Sequence, residues 1–234
     1  MEPNLTSEED PSKRRIRSFV RRDGRITKGQ HDALDLLWPK YGVEYSNSLL
    51  NFSDLFQRNQ PITLEIGFGN GGSLAEMAAA QPDQDFIGIE VYRSGVGQLL
   101  QRIERDKLTN LRIINADAIE VLTHMIAPDS LQTVQLFFPD PWPKKRHHKR
   151  RIVSESFLNL ITSRLKKGGC FHMATDWENY ALTALEELND YSRLKNMAAD
   201  CAFLERPAHR PVTKFERRGQ RLNHGVWDLM FECR

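Results

Sequence analysis

A short proline-rich segment carries the residue types best suited to chemistry in this sequence. Residues 138–143 read Phe-Pro-Asp-Pro-Trp-Pro, so that three prolines alternate with Asp140 and Trp142. Each proline locks its own φ angle and restricts the residue before it, and we therefore expect a rigid elbow. This elbow would hold a fixed carboxylate beside an aromatic face that can stack on a nucleobase.

A run of positive charge follows this elbow directly. Residues 144–151 hold six basic residues and no acid, which predicts a loop that binds phosphate. His147 and His148 lie side by side within the run. Neighbouring cations oppose a metal ion and the sequence offers no third ligand, so we expect no metal site there.

Carboxylates lie at the ends of three successive predicted strands. Glu65 precedes a glycine-rich turn that begins at Gly67 and Gly69, with the spacing G-x-G-x-G-G. Glu90 comes 23 residues after Gly67, where an acid can accept the hydroxyl protons of a ribose. Asp117 follows the third strand, where it can meet the exocyclic amine of an adenine. Together these acids favour an adenosine cofactor over three ordinary loop residues.

The elements that must position these residues alternate along the chain. Apolar strands are predicted at 62–67, 85–90, 111–115, 133–138 and 169–175, and helices at 73–80, 97–106, 118–125, 154–165 and 177–190. Two further strands, near 201–204 and 226–232, are expected to pair as an antiparallel hairpin at the sheet edge. The pattern predicts an α/β fold with a seven-stranded, mostly parallel sheet that has helices on both faces. Ligands of such sheets bind beyond the carboxyl ends of the strands, where the acids lie.

Composition and charge narrow the class of protein. The 234 residues suffice for one domain, expected at 31–234, after a flexible basic arm at 1–30. Three basic segments, 13–25, 144–151 and 206–221, hold 19 of the 33 Lys and Arg residues but only two of the 31 acids. An acidic body with basic attachments is typical of a protein that binds a polyanion. The three widely spaced cysteines and the lack of a long apolar run predict a cytoplasmic protein without a membrane span.

These motifs, in this order, resemble the bacterial tRNA (guanine-N(7)-)-methyltransferase family. The resemblance rests on Glu-Ile-Gly-Phe-Gly (65–69), Ile-Glu (89–90), Ala-Asp (116–117), Phe-Pro-Asp-Pro-Trp-Pro-Lys (138–144), Ala-Thr-Asp (174–176), Thr-Lys-Phe-Glu (213–216) and the arm motif Arg-Ser-Phe-Val-Arg-Arg (17–22). It extends from about residue 15 to the C-terminus. It implies a Rossmann-like class I methyltransferase that moves the methyl group of S-adenosylmethionine to the seventh-position nitrogen of the variable-loop guanine in tRNA.

The resemblance also implies roles for individual residues. Cofactor contacts are expected from the glycine turn and the strand-end acids, namely Glu65, Gly67, Gly69, Glu90, Asp117 and Asp140. Substrate contacts are expected from Lys144, Asp176, Thr213, Lys214, Phe215 and Glu216. The RNA-interacting loop corresponds to Arg146, His147, His148, Lys149, Arg150 and Arg151. The expected partner is tRNA, with neither a membrane nor a metal, and both a monomer and a dimer are compatible with these motifs.

The chemistry of the reaction assigns the catalytic role to Asp140. The seventh-position nitrogen of guanine carries no proton, so the enzyme needs no strong base and must mainly align two reactants. The purine gains positive charge as the methyl group arrives, and a fixed carboxylate stabilises that charge. Asp176 and Glu216 are then candidates to orient the guanine edge.

Three other functions remain open to the sequence alone. Asp140-Pro141-Trp142 is similar to the N-P-P-Y type motif of amino-group methyltransferases, although a tryptophan stands in place of the second proline. An RNA-binding module with an inactive nucleotide site would keep the basic segments but has no need of the glycines and acids. A dehydrogenase fits worst, because the glycine spacing departs from the dinucleotide fingerprint.

Overall fold

The described chain folds around one mixed sheet. The computed structural model describes residues 18–19, 24–213, 216 and 225–234, and all structural statements below concern these residues. The helices are α1 Lys28–Tyr41, α2 Phe52–Phe56, α3 Gly72–Ala80, α4 Arg93–Asp106, α5 Ala118–His124, α6 Glu155–Arg164 and α7 Glu178–Asp190, with a 3₁₀ helix at Lys145–Arg150. The strands are β1 Gly42–Val43, β2 Ile62–Ile66, β3 Asp85–Ile89, β4 Leu111–Ile114, β5 Leu131–Phe137, β6 Leu165–Thr175, β7 Leu194–Asn196 and β8 Trp227–Cys233.

The strand order confirms the predicted fold class. The order is β1-β4-β3-β2-β5-β6-β8-β7, and the first six of these strands pair in parallel. β8 is antiparallel to both β6 and β7, so the last strand is antiparallel as predicted, but its edge partner is β7 and not the predicted strand at 201–204. Strand order reverses at β2 and β5, so their carboxyl ends form the crevice in which such sheets bind ligands.

Two details of the strand prediction are wrong. The sheet has eight described strands and not seven, because the two residues of β1 add to the edge beside β4. The predicted strand at 201–204 is a loop, in which only Leu204 makes a single bridge to Asp228. β7 lies earlier in the chain and has only three residues. These strands are too short to show the alternation on which sequence prediction depends.

Apolar side chains fill both sides of the sheet, as predicted. Consecutive strand residues point to opposite faces. In β3, Phe86 packs in the core under α1, α3 and α4, whereas Ile87 packs in the core under α5, α6 and α7. Both faces of the sheet are therefore covered, and the carboxyl ends of the strands stay open for a ligand.

The N-terminal boundary is set by a capped helix. Thr27 caps α1 and exchanges backbone and side-chain hydrogen bonds with Gln30, so the first helix begins inside the segment 1–30 that was predicted as an arm. The division into a basic arm and a domain stays a prediction, since most of that arm lies outside the described residues. Within the described residues, no helix has the length and apolar character needed to cross a membrane.

Candidate active site

A large cavity lies at the carboxyl ends of β2, β3, β4 and β5. It has a volume of ≈810 Å³. Its lining includes Glu65 near the end of β2, the acids Glu90, Asp117 and Asp140 that follow β3, β4 and β5, and Glu76 from α3. The structure thus brings together the acids that the sequence predicted to meet.

The glycine turn after β2 brings the backbone close to the cavity. Gly67 and Gly69 have φ angles of 72° and 59°, a conformation that side chains oppose, and no atom lies within 4 Å of where a Cβ would stand. Behind the turn, α4 packs tightly against it. A Cβ on Gly95 would lie 2.0 Å from the backbone oxygen of Gly69, so this glycine is required for the approach of the helix.

Glu65 is a buried carboxyl on the cavity wall. Only 3% of the residue is exposed, and its Oε2 has no hydrogen-bond partner within the described residues. Burial, with a smaller contribution from the charge of Glu90, raises the pKa of Glu65 to about 8. An unpartnered polar atom at this position is suited to a polar or cationic ligand group.

Glu90 is held in place by the backbone. Its carboxylate accepts hydrogen bonds from the amides of Gly69 at 2.8 Å, Val91 at 2.7 Å and Tyr92 at 3.0 Å. Burial raises its pKa, although these three bonds act in the opposite direction, and the charge of Asp140 adds to the rise. Glu90 therefore links the glycine turn to the end of β3 and still has a free lone-pair direction for a ligand.

Asp117 has a structural role as well as a place in the cavity. Its Oδ1 accepts the amide of Ile119 at 3.0 Å and so caps α5. The preceding Asn115 donates to the backbone oxygen of Glu90 at 2.6 Å, which ties the end of β4 to the end of β3. These contacts fix the position of Asp117 relative to Glu90.

The rigidity of the proline elbow stays a prediction, and its backbone is strained. Phe138 and Trp142, which each precede a proline, have φ angles of 50° and 45°. The Phe138 amide donates to the oxygen of Ala174 at 2.8 Å, which anchors the elbow to β6. Asp140 is an exposed residue at the cavity mouth, and partial desolvation by the cavity wall raises the pKa of its carboxyl.

Trp142 already has ring partners of its own. The guanidinium of Arg150 lies 4.9 Å from the ring centroid, and the ring of His147 meets it edge-on at 5.8 Å. Its Nε1 donates to the backbone oxygen of Ser18 at 3.0 Å. Ser18 and Phe19 also line the cavity, a contribution of the N-terminal segment that the sequence reasoning did not assign.

The basic run forms a 3₁₀ helix with most of its charge outside. Lys144, Arg146 and Lys149 are exposed, while His147, His148 and Arg150 are half-buried. Arg151 departs from the expected phosphate-facing position, because only 9% of it is exposed and its guanidinium bonds to protein groups. No group of three or more His, Cys, Asp or Glu residues in the described part of the chain is arranged to hold a metal.

A buried ion-pair cluster supports the segment that contains the predicted substrate residues. Arg210, which is 0% exposed, bonds to Glu216 at 2.7 Å and to Asp228 at 2.7 and 2.8 Å. Asp228 also bonds to His172 at 2.8 Å. Glu216 therefore points to Arg210 rather than into the cavity, a difference that charge counting could not foresee. The Glu216 amide donates to Thr213 Oγ1 at 3.1 Å.

The predicted substrate residues are only partly gathered at the cavity. Thr213 lines it. Asp176 is half-buried just after β6, and Lys144 is exposed beyond the elbow. Lys214 and Phe215 lie outside the described residues.

The cavity residues fit S-adenosylmethionine. A ligand with cationic groups and ribose hydroxyls suits a cavity lined by five carboxylates, one of which has an unpartnered oxygen. The glycine turn leaves room beside the backbone, where a Cβ would otherwise stand. The fold and this site together define a class I methyltransferase of the Rossmann type.

Comparison with known proteins agrees with this class and narrows it. Two solved structures share the fold. One is the 16S rRNA methyltransferase KamB, with 16% identity, a TM-score of 0.53, and 78% of this chain and 92% of that chain covered. The other is an antibiotic-related methyltransferase, with 13% identity, a TM-score of 0.53, and 80% and 97% covered.

Residues 59–229 match the family model described as "Putative methyltransferase". The tRNA (guanine-N(7)-)-methyltransferases of Klebsiella pneumoniae and Escherichia coli UTI89 are each 58% identical over 219 residues, with 94% of this chain and 92% of theirs covered. That of Shewanella sp. MR-4 is 56% identical over 226 residues (97% and 95%). The chain belongs to the tRNA (guanine-N(7)-)-methyltransferase family.

Proposed function

We propose that this protein transfers the methyl group of S-adenosylmethionine to the seventh-position nitrogen of the variable-loop guanine in tRNA. The observation that carries the proposal is the position of Asp140, between a carboxylate-lined cavity and an exposed basic run. S-adenosylmethionine supplies a methyl group on a positively charged sulfur. A tRNA substrate also agrees with the cytoplasmic location that the cysteines predicted.

The cofactor is held by residues at the strand ends. Gly67 and Gly69 would let the backbone approach the cofactor. The carboxylate of Glu90 would accept hydrogen bonds from the ribose hydroxyls through the lone pair that the backbone amides leave free. Glu65 places its unpartnered oxygen toward the cationic part of the ligand. Asp117, fixed by its capping bond, accepts from the adenine amine.

Asp140 acts on the developing charge and not as a strong base. The guanine nitrogen would attack the methyl carbon with its own lone pair, so no proton must be removed first. The electron pair of the broken carbon–sulfur bond would stay on the sulfur, which becomes a neutral thioether. The purine becomes positive, and a carboxylate held by the strained elbow stabilises it without reorganising. Alignment of the two reactants can supply roughly 7–11 kcal/mol of the barrier.

The tRNA is bound outside the cavity by the exposed basic run. Arg146 and Lys149 contact phosphates, together with His147, His148 and Arg150. Thr213 and Asp176 contact the guanine, and Lys144 is a further substrate contact. The family resemblance implies the same role for Lys214 and Phe215, which lie outside the described residues. Glu216 acts indirectly, since its carboxylate holds Arg210 and its amide holds Thr213.

The test is incubation with radiolabelled S-adenosylmethionine and an unmodified tRNA transcript, followed by nucleoside analysis. Label is expected in 7-methylguanosine, and it should disappear when the variable-loop guanine is replaced. In single-turnover experiments Asp140→Ala should lose most of the rate and keep the affinity for tRNA. Asp83→Ala, which changes an exposed aspartate at the opposite end of the strands, is the matched control.

Each other outcome rejects a defined part of the proposal. Label in another nucleoside would keep the cofactor and overturn the target. A methyl group on an exocyclic amine would favour the amino-group methyltransferase. Binding of tRNA without any label would favour a binding module. A near-normal rate for Asp140→Ala would remove the catalytic role of this carboxylate.

A further inference from the structure

Arg151 is set apart from the other cations of the basic run. Arg146 is exposed, whereas only 9% of Arg151 is accessible. The Arg151 Nε donates to the oxygen of Pro141 at 3.0 Å, Nη1 to Thr183 Oγ1 at 2.8 Å and Nη2 to Asn179 Oδ1 at 2.7 Å. The guanidinium is thus occupied on the protein side and is turned away from any phosphate outside.

The shape of the guanidinium, more than its charge, matches this environment. All three acceptors are neutral, and the guanidinium carbon lies 4.7 Å from the ring centroid of Tyr180. Desolvation lowers the pKa of Arg151, although it remains a cation at neutral pH. A buried charge is tolerated where its donors are matched, and the fixed fork of arginine matches acceptors on two different elements at once.

The hydrogen bond from Arg151 to Pro141 joins the two ends of a loop. Pro141 and Arg151 stand at the two ends of segment 142–150, which carries the exposed cations. Pro141 follows Asp140 directly, and the bond to its carbonyl oxygen fixes the Pro141–Trp142 peptide, one residue beyond the carboxylate. On the other side, the Phe138 amide is bonded to Ala174 at 2.8 Å. The elbow is therefore held at both ends.

We propose that Arg151 is a positioning residue, which holds Asp140 in place by fixing the base of the loop to α7, and that it does not bind tRNA phosphate. The inference rests on the proposed function, because it assigns the loop to tRNA and Asp140 to the reaction. It follows that phosphates bound on the outside of the loop are rigidly connected to the reacting carboxylate.

The decisive variant is Arg151→Lys, which keeps the positive charge and loses the fork. Lysine still binds phosphate as a point charge, whereas its single ammonium cannot span three acceptors on two elements. Displacement of a catalytic group by about 1 Å can cost roughly 100-fold in rate, so we expect kcat to fall about 10- to 100-fold. Arg193→Lys, which changes an exposed arginine that donates to the backbone oxygen of Thr162 outside the cavity, is the matched control and should keep its kcat.

Salt dependence of tRNA binding separates the two roles independently. Arg146→Ala should reduce the slope of log affinity against log salt by about 0.7–0.9, as expected for one lost phosphate contact. Arg151→Lys and Arg151→Ala should leave the slope unchanged and lower kcat. A reduced slope with a normal kcat for Arg151→Ala would overturn the inference, and so would a normal kcat for both variants.

Two further controls keep the test decisive. If the Arg151 variants do not fold, Asn179→Ala and Thr183→Val remove acceptors and leave the arginine in place. They should lower kcat with an unchanged salt slope, and normal kcat in both would overturn the inference. Wild-type protein that labels a nucleoside other than 7-methylguanosine would reject the proposed function, whereas the ratio of variant to wild-type rates would still test Arg151.

Discussion

Replacing the buried acid Glu65 with glutamine should stabilise the protein in a pH-dependent way. The pKa of Glu65 is about 8 in the folded state against an ordinary value of 4.5. The folded state therefore favours the neutral carboxyl. Stability from this group is complete below about pH 4.5 and is lost as the pH rises towards 8. Glutamine does not ionise and shows no such loss.

The size of the effect follows from the two pKa values. At pH 5 the wild type should have lost about 1 kcal/mol through this group, and at pH 7.5 about 4 kcal/mol. The difference in unfolding free energy between Glu65→Gln and wild type should therefore grow by about 3 kcal/mol between these two pH values. Any constant effect of the new amide cancels in this comparison.

Urea denaturation of the cofactor-free protein at pH 5 and pH 7.5 measures this difference. Glu186→Gln, which removes an exposed glutamate from α7, controls for the loss of one carboxyl group. A gap between Glu65→Gln and wild type that is the same at both pH values would refute the reasoning. It would mean that water or a neighbouring donor solvates the carboxyl in the folded state.

Three other expectations follow from the cavity and the buried ion pairs. Gly95→Ala should weaken binding of S-adenosylmethionine at least 10-fold by calorimetry, because the new Cβ meets the Gly69 oxygen at 2.0 Å, and unchanged affinity would contradict the tight packing. Arg210→Met should lower the unfolding free energy by about 3–5 kcal/mol, because Asp228 and a second carboxylate lose a buried partner, and a loss below about 1 kcal/mol would show that the cluster is not needed. Binding of S-adenosylmethionine at pH 7 should release protons, measured by calorimetry in buffers of different ionisation enthalpy, and Glu65→Gln should release fewer. Equal release would separate Glu65 from the cofactor.

The strand-end acids were predictable because the sheet itself brings them together. Parallel strands that end at one edge place Glu65, Glu90 and Asp117 around the same crevice, and sequence order is enough to infer this. The local restriction of the elbow backbone was also predictable from the sequence, since proline restricts the backbone locally. These are properties that depend on the covalent chain and on regular pairing.

The inward-facing arginines were not predictable from the same evidence. Arg151 and Arg210 stand in runs of positive charge, and a run reveals the number of charges without the direction of each side chain. Direction depends on acceptors far away in sequence, such as Asn179 for Arg151 and Asp228 for Arg210. Charge counting therefore assigned Arg151 to RNA, although its contacts lie within the protein.

The order of the strands places residues from two halves of the chain in the candidate active site. β1 to β4 form one side of the sheet and β5 to β8 form the other, so the seam runs between β2 and β5. Glu65, Glu90 and Asp117 come from the first half, while Asp140 and Thr213 come from the second. In the proposed function the first half therefore holds the cofactor and the second half the nucleic acid. The candidate active site is thus an interface within a single polypeptide, and its two halves meet where β2 pairs with β5.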